Sequence, residues 1–323
     1  MREIKYFEAI NEALRQAMEQ DDRVFLMGLG VDDPKGIFGS TLGLWQRFGR
    51  ERVFDMPIAE NGMTGVAIGA ALAGMRPVMS HQRMDFMLYC MDQLINHAAK
   101  WRYMSGGLLR VPLTVRAIVG RGWGQGAQHS QSLQALFAHV PGLKVVMPVS
   151  PYDVKGLLLA SIADNNPVIF IEHRRLYDLT GPVPEEPYTI PLGKGVIRRE
   201  GKDVTIVATS YMVIEAERAA DALAEEGIEV ELIDPRTLKP LDEVLILNSV
   251  KKTGRLVVAD NGWKTAGFGA EIAARVAYAA FAFLKAPIVR VAFPDVPTPT
   301  TIALEQVFYP GPEDIVAAVK EVV

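Results

Sequence analysis

Short β-prone runs and helical stretches alternate along this 323-residue chain, and the alternation is broken once, at residues 177–192. Before the break, strands are expected at 24–27, 53–54, 77–79, 111–119, 145–147 and 167–172, with helical patterns between most of them. After it they are expected at 204–208, 230–233, 256–259 and 288–292. Helical patterns at 212–226, 241–250 and 269–284 separate them, and a last helix begins at 312. A strand reaches a parallel neighbour only through a crossover of helix length, so this rhythm implies mostly parallel sheets covered on both faces. The break holds Pro182, Pro184, Pro187 and Pro191, and prolines so close together favour an extended connector. The expected fold is α/β, with two domains of mostly parallel sheet flanked by helices, spanning 1–185 and 186–323.

At this length each domain can bury its own core. The net charge of −4 offers no basic surface for nucleic acid or an anionic membrane. No apolar run reaches the length of a membrane span. The lone cysteine, Cys90, excludes an internal disulfide framework and suits a reducing compartment. The opening residues carry acidic side chains through an amphipathic helix pattern, with Phe7, Ile10, Leu14 and Met18 on one face, which does not fit a signal peptide. Together these features point to a soluble cytoplasmic protein. Residues 85–103 read as one long helical pattern with Phe86, Tyr89, Leu94 and Ala98 inward.

Two stretches suggest chemistry. In VFDMPIAENGMTGVAIGAALAG (53–74) a strand run breaks at Pro57, and a helix follows with Val66, Ile68, Ala71 and Leu72 at helical spacing. Glu60 stands in the break among apolar neighbours. As a helix-terminal carboxylate it can simply act as a cap. In apolar surroundings it can instead have a raised pKa and exchange a proton with a bound group. The second stretch is the glycine-rich loop GRGWGQGAQH, ending at His129. It formally contains G-x-G-x-x-A, but the acidic residue a dinucleotide site needs about twenty positions later is missing. The glycines suit a tight turn or a close approach of backbone to another group. His129 opens the next helical stretch, where a histidine serves either as a capping group or as a catalyst. No metal-ligand spacing links the five histidines, and there is neither a P-loop nor a nucleophile elbow. Asp164-Asn165-Asn166-Pro167 reads as a turn before a strand.

Taken together, several motifs resemble one family. They are GxWxxFG (43–49), DxPIxE (55–60), G-x-RP (74–77), DQ-x-x-N-x-AAK (92–100), YMSGG (103–107), GAQHSQS, PGLKVVMP, DNNP and ID-x-RT-x-x-P-x-D. Over nearly its whole length the chain resembles the β subunit of the thiamine-diphosphate-dependent decarboxylating component of 2-oxo acid dehydrogenases, the pyruvate, branched-chain and acetoin dehydrogenase group. That resemblance implies a pyrimidine-binding domain, a transketolase C-terminal-like domain, and an α2β2 heterotetramer with an α subunit. It implies oxidative decarboxylation of a 2-oxo acid with acyl transfer to lipoamide. Glu60 then hydrogen-bonds the aminopyrimidine ring of thiamine diphosphate, and Phe86 packs against it. His129 faces the substrate, suited to stabilising an oxyanion or carboxylate and to proton transfer as the acyl group passes to a lipoyl arm. Leu113, Ser161, Ile162, Asp164 and Asn166 match positions that hold potassium in some members. The family's diphosphate-and-magnesium motif, GDG followed by an asparagine, does not occur in this sequence. In the family it lies on the α subunit, so magnesium is expected there and this chain is expected to be inactive alone. The C-terminal domain matches the surface that docks onto a lipoyl acyltransferase core.

The chain departs from the family pattern at Ser80-His81-Gln82-Arg83, where most members have a glutamate first and apolar residues among the next three. Arg121 and Trp123 are also unlike the pyruvate enzymes. His81, Arg83 and Arg121 are therefore candidates for lining a channel that takes a larger or more anionic 2-oxo acid. The competing reading pairs Arg83 with an α-subunit carboxylate. Two other readings of the chain are the C-terminal half of a split transketolase and a non-catalytic assembly subunit. Retention of Glu60 and His129 speaks against the last, since neither is needed to fold the domain.

Overall fold

A computed structural model describes every residue except Trp123, so that member of the glycine-rich loop lies outside the described residues. The chain folds into two compact units, one of Met1–Arg121 and Leu136–Leu192, the other of Gly122–Ala135 and Gly193–Val323. The loop that carries His129 thus groups with the second unit, which the rhythm of elements does not disclose.

The first unit begins with β1 (Arg2–Lys5), α1 (Tyr6–Gln20), β2 (Val24–Gly28), α2 (Leu44–Phe48), β3 (Val53–Phe54), α3 (Glu60–Leu72) and β4 (Arg76–His81). Irregular helical turns lead to α4 (Trp101–Met104) and β5 (Thr114–Val119), and α5 (Gln134–His139) leads to β6 (Lys144–Val146). The unit ends with α6 (Pro151–Ala163), β7 (Val168–His173) and β8 (Thr180–Val183). Six strands run parallel in the order β6-β7-β5-β4-β2-β3. β5 and β7 are buried along their whole length, as a strand covered on both faces must be. Gly28 pairs with Ser80 across β2 and β4, and a Cβ at Gly28 would lie 2.3 Å from the Ser80 carbonyl oxygen. Only glycine permits that approach.

Four expectations change here. The first strand pairs antiparallel with β8, placing Glu3 opposite Pro182, so part of the proline-rich stretch is a strand rather than pure connector. A two-stranded ribbon offers edge positions where proline's missing N–H costs little. Residues 85–103 do not form one helix. They divide into a 3₁₀ segment, Met84–Cys90, a π segment, Gln93–Ala98, and α4. Three residues per turn put Met84, Met87 and Cys90 on the buried face and turn Tyr89 out to 70% exposure. Phe86 is half-buried, while Leu94 and Ala98 do face inward. β5 begins at Thr114 rather than 111, and the helix after the glycine-rich loop begins at Gln134, five residues past His129.

The second unit contains β9 (Val196–Arg199), β10 (Val204–Ala208), α7 (Met212–Glu225), β11 (Val230–Asp234), β12 (Thr237–Lys239) and α8 (Glu243–Thr253). It continues through β13 (Leu256–Trp263), α9 (Phe268–Ala279), β14 (Val289–Phe293), α10 (Ile302–Phe308) and α11 (Pro312–Lys320). Its five-stranded sheet has the order β14-β13-β10-β11-β9, parallel except for the edge strand β9. Asp242 caps α8 by accepting from the Leu245 N–H, and left-handed Gly254 ends it. Among the described residues no helix is long and apolar enough to cross a membrane.

Candidate active site

Glu60 is the first residue of α3 and only 7% exposed. Ala59 supplies no side-chain cap, which leaves Glu60 as the acidic group of the first turn, where the helix dipole favours negative charge. The Thr64 hydroxyl donates to the Glu60 backbone carbonyl at 2.7 Å rather than to its carboxylate. Among the described residues no group donates a hydrogen bond to that carboxylate. The Glu60 side chain is largely buried, and its oxygens are left to water or to a group bound from outside the chain. Phe86 lies on the 3₁₀ segment that packs against α3. At the end of that segment, burial pushes the Cys90 thiol up to about 11; the Thr64 hydrogen bond opposes this and the Glu60 charge reinforces it. The thiol is therefore protonated and unreactive near neutral pH.

Ser80, at the point of departure from the family pattern, turns inward. Its hydroxyl accepts from Arg116 at 3.3 Å. Arg116 is 1% exposed and forms a two-pronged pair with Glu172, at 2.6 and 3.0 Å, while donating to Ser40 at 3.0 Å. Glu172 also accepts from the Tyr177 hydroxyl at 2.5 Å. Ser80 is thus a partner in a satisfied interior ion pair, of the kind that costs about 3–5 kcal/mol to break from one side.

His81 is buried, its Nε2 has no hydrogen-bond partner, and burial pushes its pKa down to about 4. The ring is neutral at physiological pH. Arg83, also buried, donates to the Gln82 carbonyl at 2.6 Å and lies 5.1 Å from the centre of the Phe38 ring. Arg174 lies 4.8 Å from the same ring. Arg121 is buried too; after burial itself, its charge and that of Arg175 hold His173 well below the usual imidazole range. All three channel candidates are buried.

The five candidate potassium ligands are internally engaged. Arg76 donates to the carbonyls of Ile162 and Asp164, at 3.0 and 3.1 Å, and to the Asn165 side chain at 3.0 Å. The Leu113 carbonyl accepts from the Val168 N–H, and the Ser161 hydroxyl donates to the Leu157 carbonyl. Asp164 pairs with Lys144 and also accepts from the Asn166 backbone and side chain. Two of the carbonyls therefore already face a cation, the Arg76 guanidinium. Among the described residues no group of three or more His, Cys, Asp or Glu is placed to hold a metal ion.

In the second unit, exposed His129 ends a short 3₁₀ turn, Gly126–Gln128. Gly126 has φ +64°, and a Cβ there would lie 2.5 Å from the Thr300 hydroxyl, so the turn needs glycine for both conformation and space. Beyond His129 the loop is tied to β13. Gln134 Nε2 donates to Asp260 Oδ1 and to the Asn261 carbonyl, both at 3.0 Å. Ser132 donates to Gln134 Oε1 at 2.8 Å and accepts from Asn261 Nδ2 at 3.0 Å. Asp260 accepts further from Thr209 at 2.8 Å and from the Gly269 N–H, in the first turn of α9, at 2.9 Å. Burial raises the Asp260 pKa, while hydrogen bonds from Gly269, Thr209, Gln134 and Phe268 pull it down. Neither Asp260 nor Gln134 is a candidate in the sequence reading. The available signal was an acid–amide pair, Asp260-Asn261, at the carboxyl end of an apolar strand run, where parallel sheets present their functional groups.

Comparison with known proteins also gives two domains, but it counts the 122–135 loop with the first. Residues 2–180 match the transketolase pyrimidine binding domain and residues 193–315 the transketolase C-terminal domain. The chain is 47% identical to the β subunit of acetoin:2,6-dichlorophenolindophenol oxidoreductase from Bacillus subtilis, covering 99% of this chain and 97% of that protein. It is 46% identical to the pyruvate dehydrogenase E1 component subunit β of Rickettsia felis, with 98% and 97% covered. Against the 2-oxoisovalerate dehydrogenase subunit β of Bacillus subtilis it is 42% identical, with 99% of both covered. A solved structure described as a split gene transketolase, inactive β4 tetramer, superposes with a TM-score of 0.80 at 26% identity, covering 99% of this chain and 98% of that one.

Proposed function

The chain belongs to the family of transketolase-type β subunits of 2-oxo acid dehydrogenases, and from that premise we propose that it supplies the pyrimidine-facing half of a thiamine-diphosphate site completed by an α subunit. The reaction is oxidative decarboxylation of a 2-oxo acid with acyl transfer to lipoamide, by an α2β2 assembly docked on a lipoyl acyltransferase core in the cytoplasm. The observation that carries this reading is the Glu60 carboxyl, buried at the head of α3 with no protein donor. A ring nitrogen facing it would supply the missing partner, so Glu60 fits the aminopyrimidine group. Thiamine diphosphate, when bound, supplies the electron sink for loss of carbon dioxide.

The chain's own residues then have separate tasks. Glu60 would share a proton with the ring nitrogen. Phe86 packs against the ring. His129, exposed on its anchored loop, stabilises negative charge on the substrate and moves a proton during acyl transfer. Diphosphate and magnesium fall to the α subunit, since the GDG motif is lacking here. On the outer face of α3, Val66 is 56% exposed and nothing lies within 4 Å of the Cβ positions of Gly62 and Gly69, which supports a partner seated there. His81, Arg83 and Arg121 are buried, so we assign Arg83 and Arg121 an effect on the substrate through positive potential rather than contact. Potassium at Leu113, Ser161, Ile162, Asp164 and Asn166 would have to share two carbonyls with Arg76, and no step is routed through it.

The fold likeness to a split transketolase favours a second reading, transfer of two-carbon units between sugar phosphates. Its 26% identity weighs less than 42–47% to the 2-oxo acid enzymes and acetoin oxidoreductase. Co-production with the α subunit, followed by a 2-oxo acid panel with thiamine diphosphate, magnesium and a dye acceptor, separates the two. Decarboxylation that needs both subunits is expected. Sugar-phosphate transfer without decarboxylation of any 2-oxo acid would overturn the proposal.

A further inference from the structure

We infer that Asp260 is a positioning residue for His129, acting through Gln134. The inference starts from a division of labour between the two Asp260 oxygens. Oδ2 accepts from the Gly269 N–H at the start of α9, which is the ordinary work of a helix-terminal carboxylate. Oδ1 accepts from Thr209 and from Gln134, neither of which α9 requires. Gln134 in turn commits its whole side chain: its amide nitrogen donates to Asp260 and the Asn261 carbonyl, and its oxygen accepts from Ser132. Asn261 closes the set by donating to Ser132.

Ser132, Gln134, Asp260 and Asn261 are each no more than 3% exposed. In so dry a setting a hydrogen bond to a charged acceptor is strong, and a donor deprived of it pays a desolvation cost. The loop is therefore fixed at Ser132 and Gln134 by β13, and at Gly126 by its close approach to Thr300. His129 lies midway between those anchors. Three residues from each, it is within about 11 Å of extended chain from either. An exposed acid–base group gains from such anchoring, because a small displacement of a reacting group can cost a large factor in rate. The positioning stands on geometry alone; only its catalytic consequence rests on the role proposed for His129.

Histidine-labelled full chain provides the test, because there are only five histidines to resolve by proton–carbon NMR. The His129 ring signal is identified by its loss in His129→Asn. Gln134→Leu removes the tie while leaving the Gly269–Asp260 bond in place. Asp260→Asn keeps the shape and loses the charged acceptor. In both variants the His129 ring signal should shift and broaden, while those of His81, His97, His139 and His173 stay where they are. A general loss of stability would move all five together. In the assembled α–β enzyme, kcat should fall about tenfold in Gln134→Leu with KM unchanged. A His129 signal identical to wild type in both variants overturns the inference. Absence of activity towards every 2-oxo acid would instead count against the proposed function and leave the NMR result to decide positioning.

Discussion

Glu60 in the first unit and Asp260 in the second are both buried carboxylates at a helix N-terminus, and the two are furnished in opposite ways. Asp260 receives hydrogen bonds from Thr209, Gln134 and Gly269 at 2.8–3.0 Å. Glu60, at the head of α3, receives none from the described residues. Helix dipole and low exposure are common to both, so neither explains the difference. What differs is whether the chain itself completes the acceptor. A completed buried acid orders the groups that donate to it. An incomplete one leaves its acceptor to water or to a group from outside the chain, and for Glu60 we propose the latter.

The comparison predicts unequal costs. Asp260→Ala strands three donors and should lower the unfolding free energy by about 3 kcal/mol, whereas Glu60→Gln should stay within about 0.5 kcal/mol of wild type. Urea unfolding of the two variants measures both, and equal losses would break the contrast. Acid provides a second test. Unfolded His81 takes a proton near 6.5 and folded His81 only near 4, so between those values the unfolded chain binds more protons and the fold loses stability. The loss attributable to His81 should be about 2 kcal/mol at pH 5, and His81→Gln should remove it. Asp260 has the opposite sign. Its folded pKa is raised, so the folded chain binds the proton first and acidification favours the fold at that residue. Asp260→Asn should therefore steepen the acid loss. Thr209→Val removes two bonds, the one its hydroxyl donates to Asp260 and the one it accepts from the Asn261 N–H, and should cost about 2 kcal/mol, seen as a shift in midpoint without a change in slope.

How much of this could be read in the sequence depended on whether the signal was local. The parallel sheets were legible because runs such as 114–119 and 168–173 are apolar throughout and separated by helical patterns. Glu60 was legible as a lone acid where a strand breaks and a helix begins. Strand β1 was not, since its four residues are mostly exposed and show no alternation; only pairing with β8 makes them a strand. Tyr89 was misplaced because the same apolar residues satisfy a period of three as well as one of 3.6. The placement of Ser132 and Gln134 was invisible for a stronger reason. Their partners lie more than a hundred residues away, and each residue alone looks like an ordinary polar group at a helix start.

The contrast between the two acids is tested most directly in the assembled α–β enzyme carrying Glu60→Gln, with thiamine diphosphate and magnesium supplied and decarboxylation measured by dye reduction. A glutamine keeps the size and loses the proton, so the rate should fall by a factor of about 100 or more while the unfolding midpoint stays at the wild-type value. A variant that decarboxylates at the wild-type rate would contradict the assignment of Glu60 as the acid that serves the cofactor.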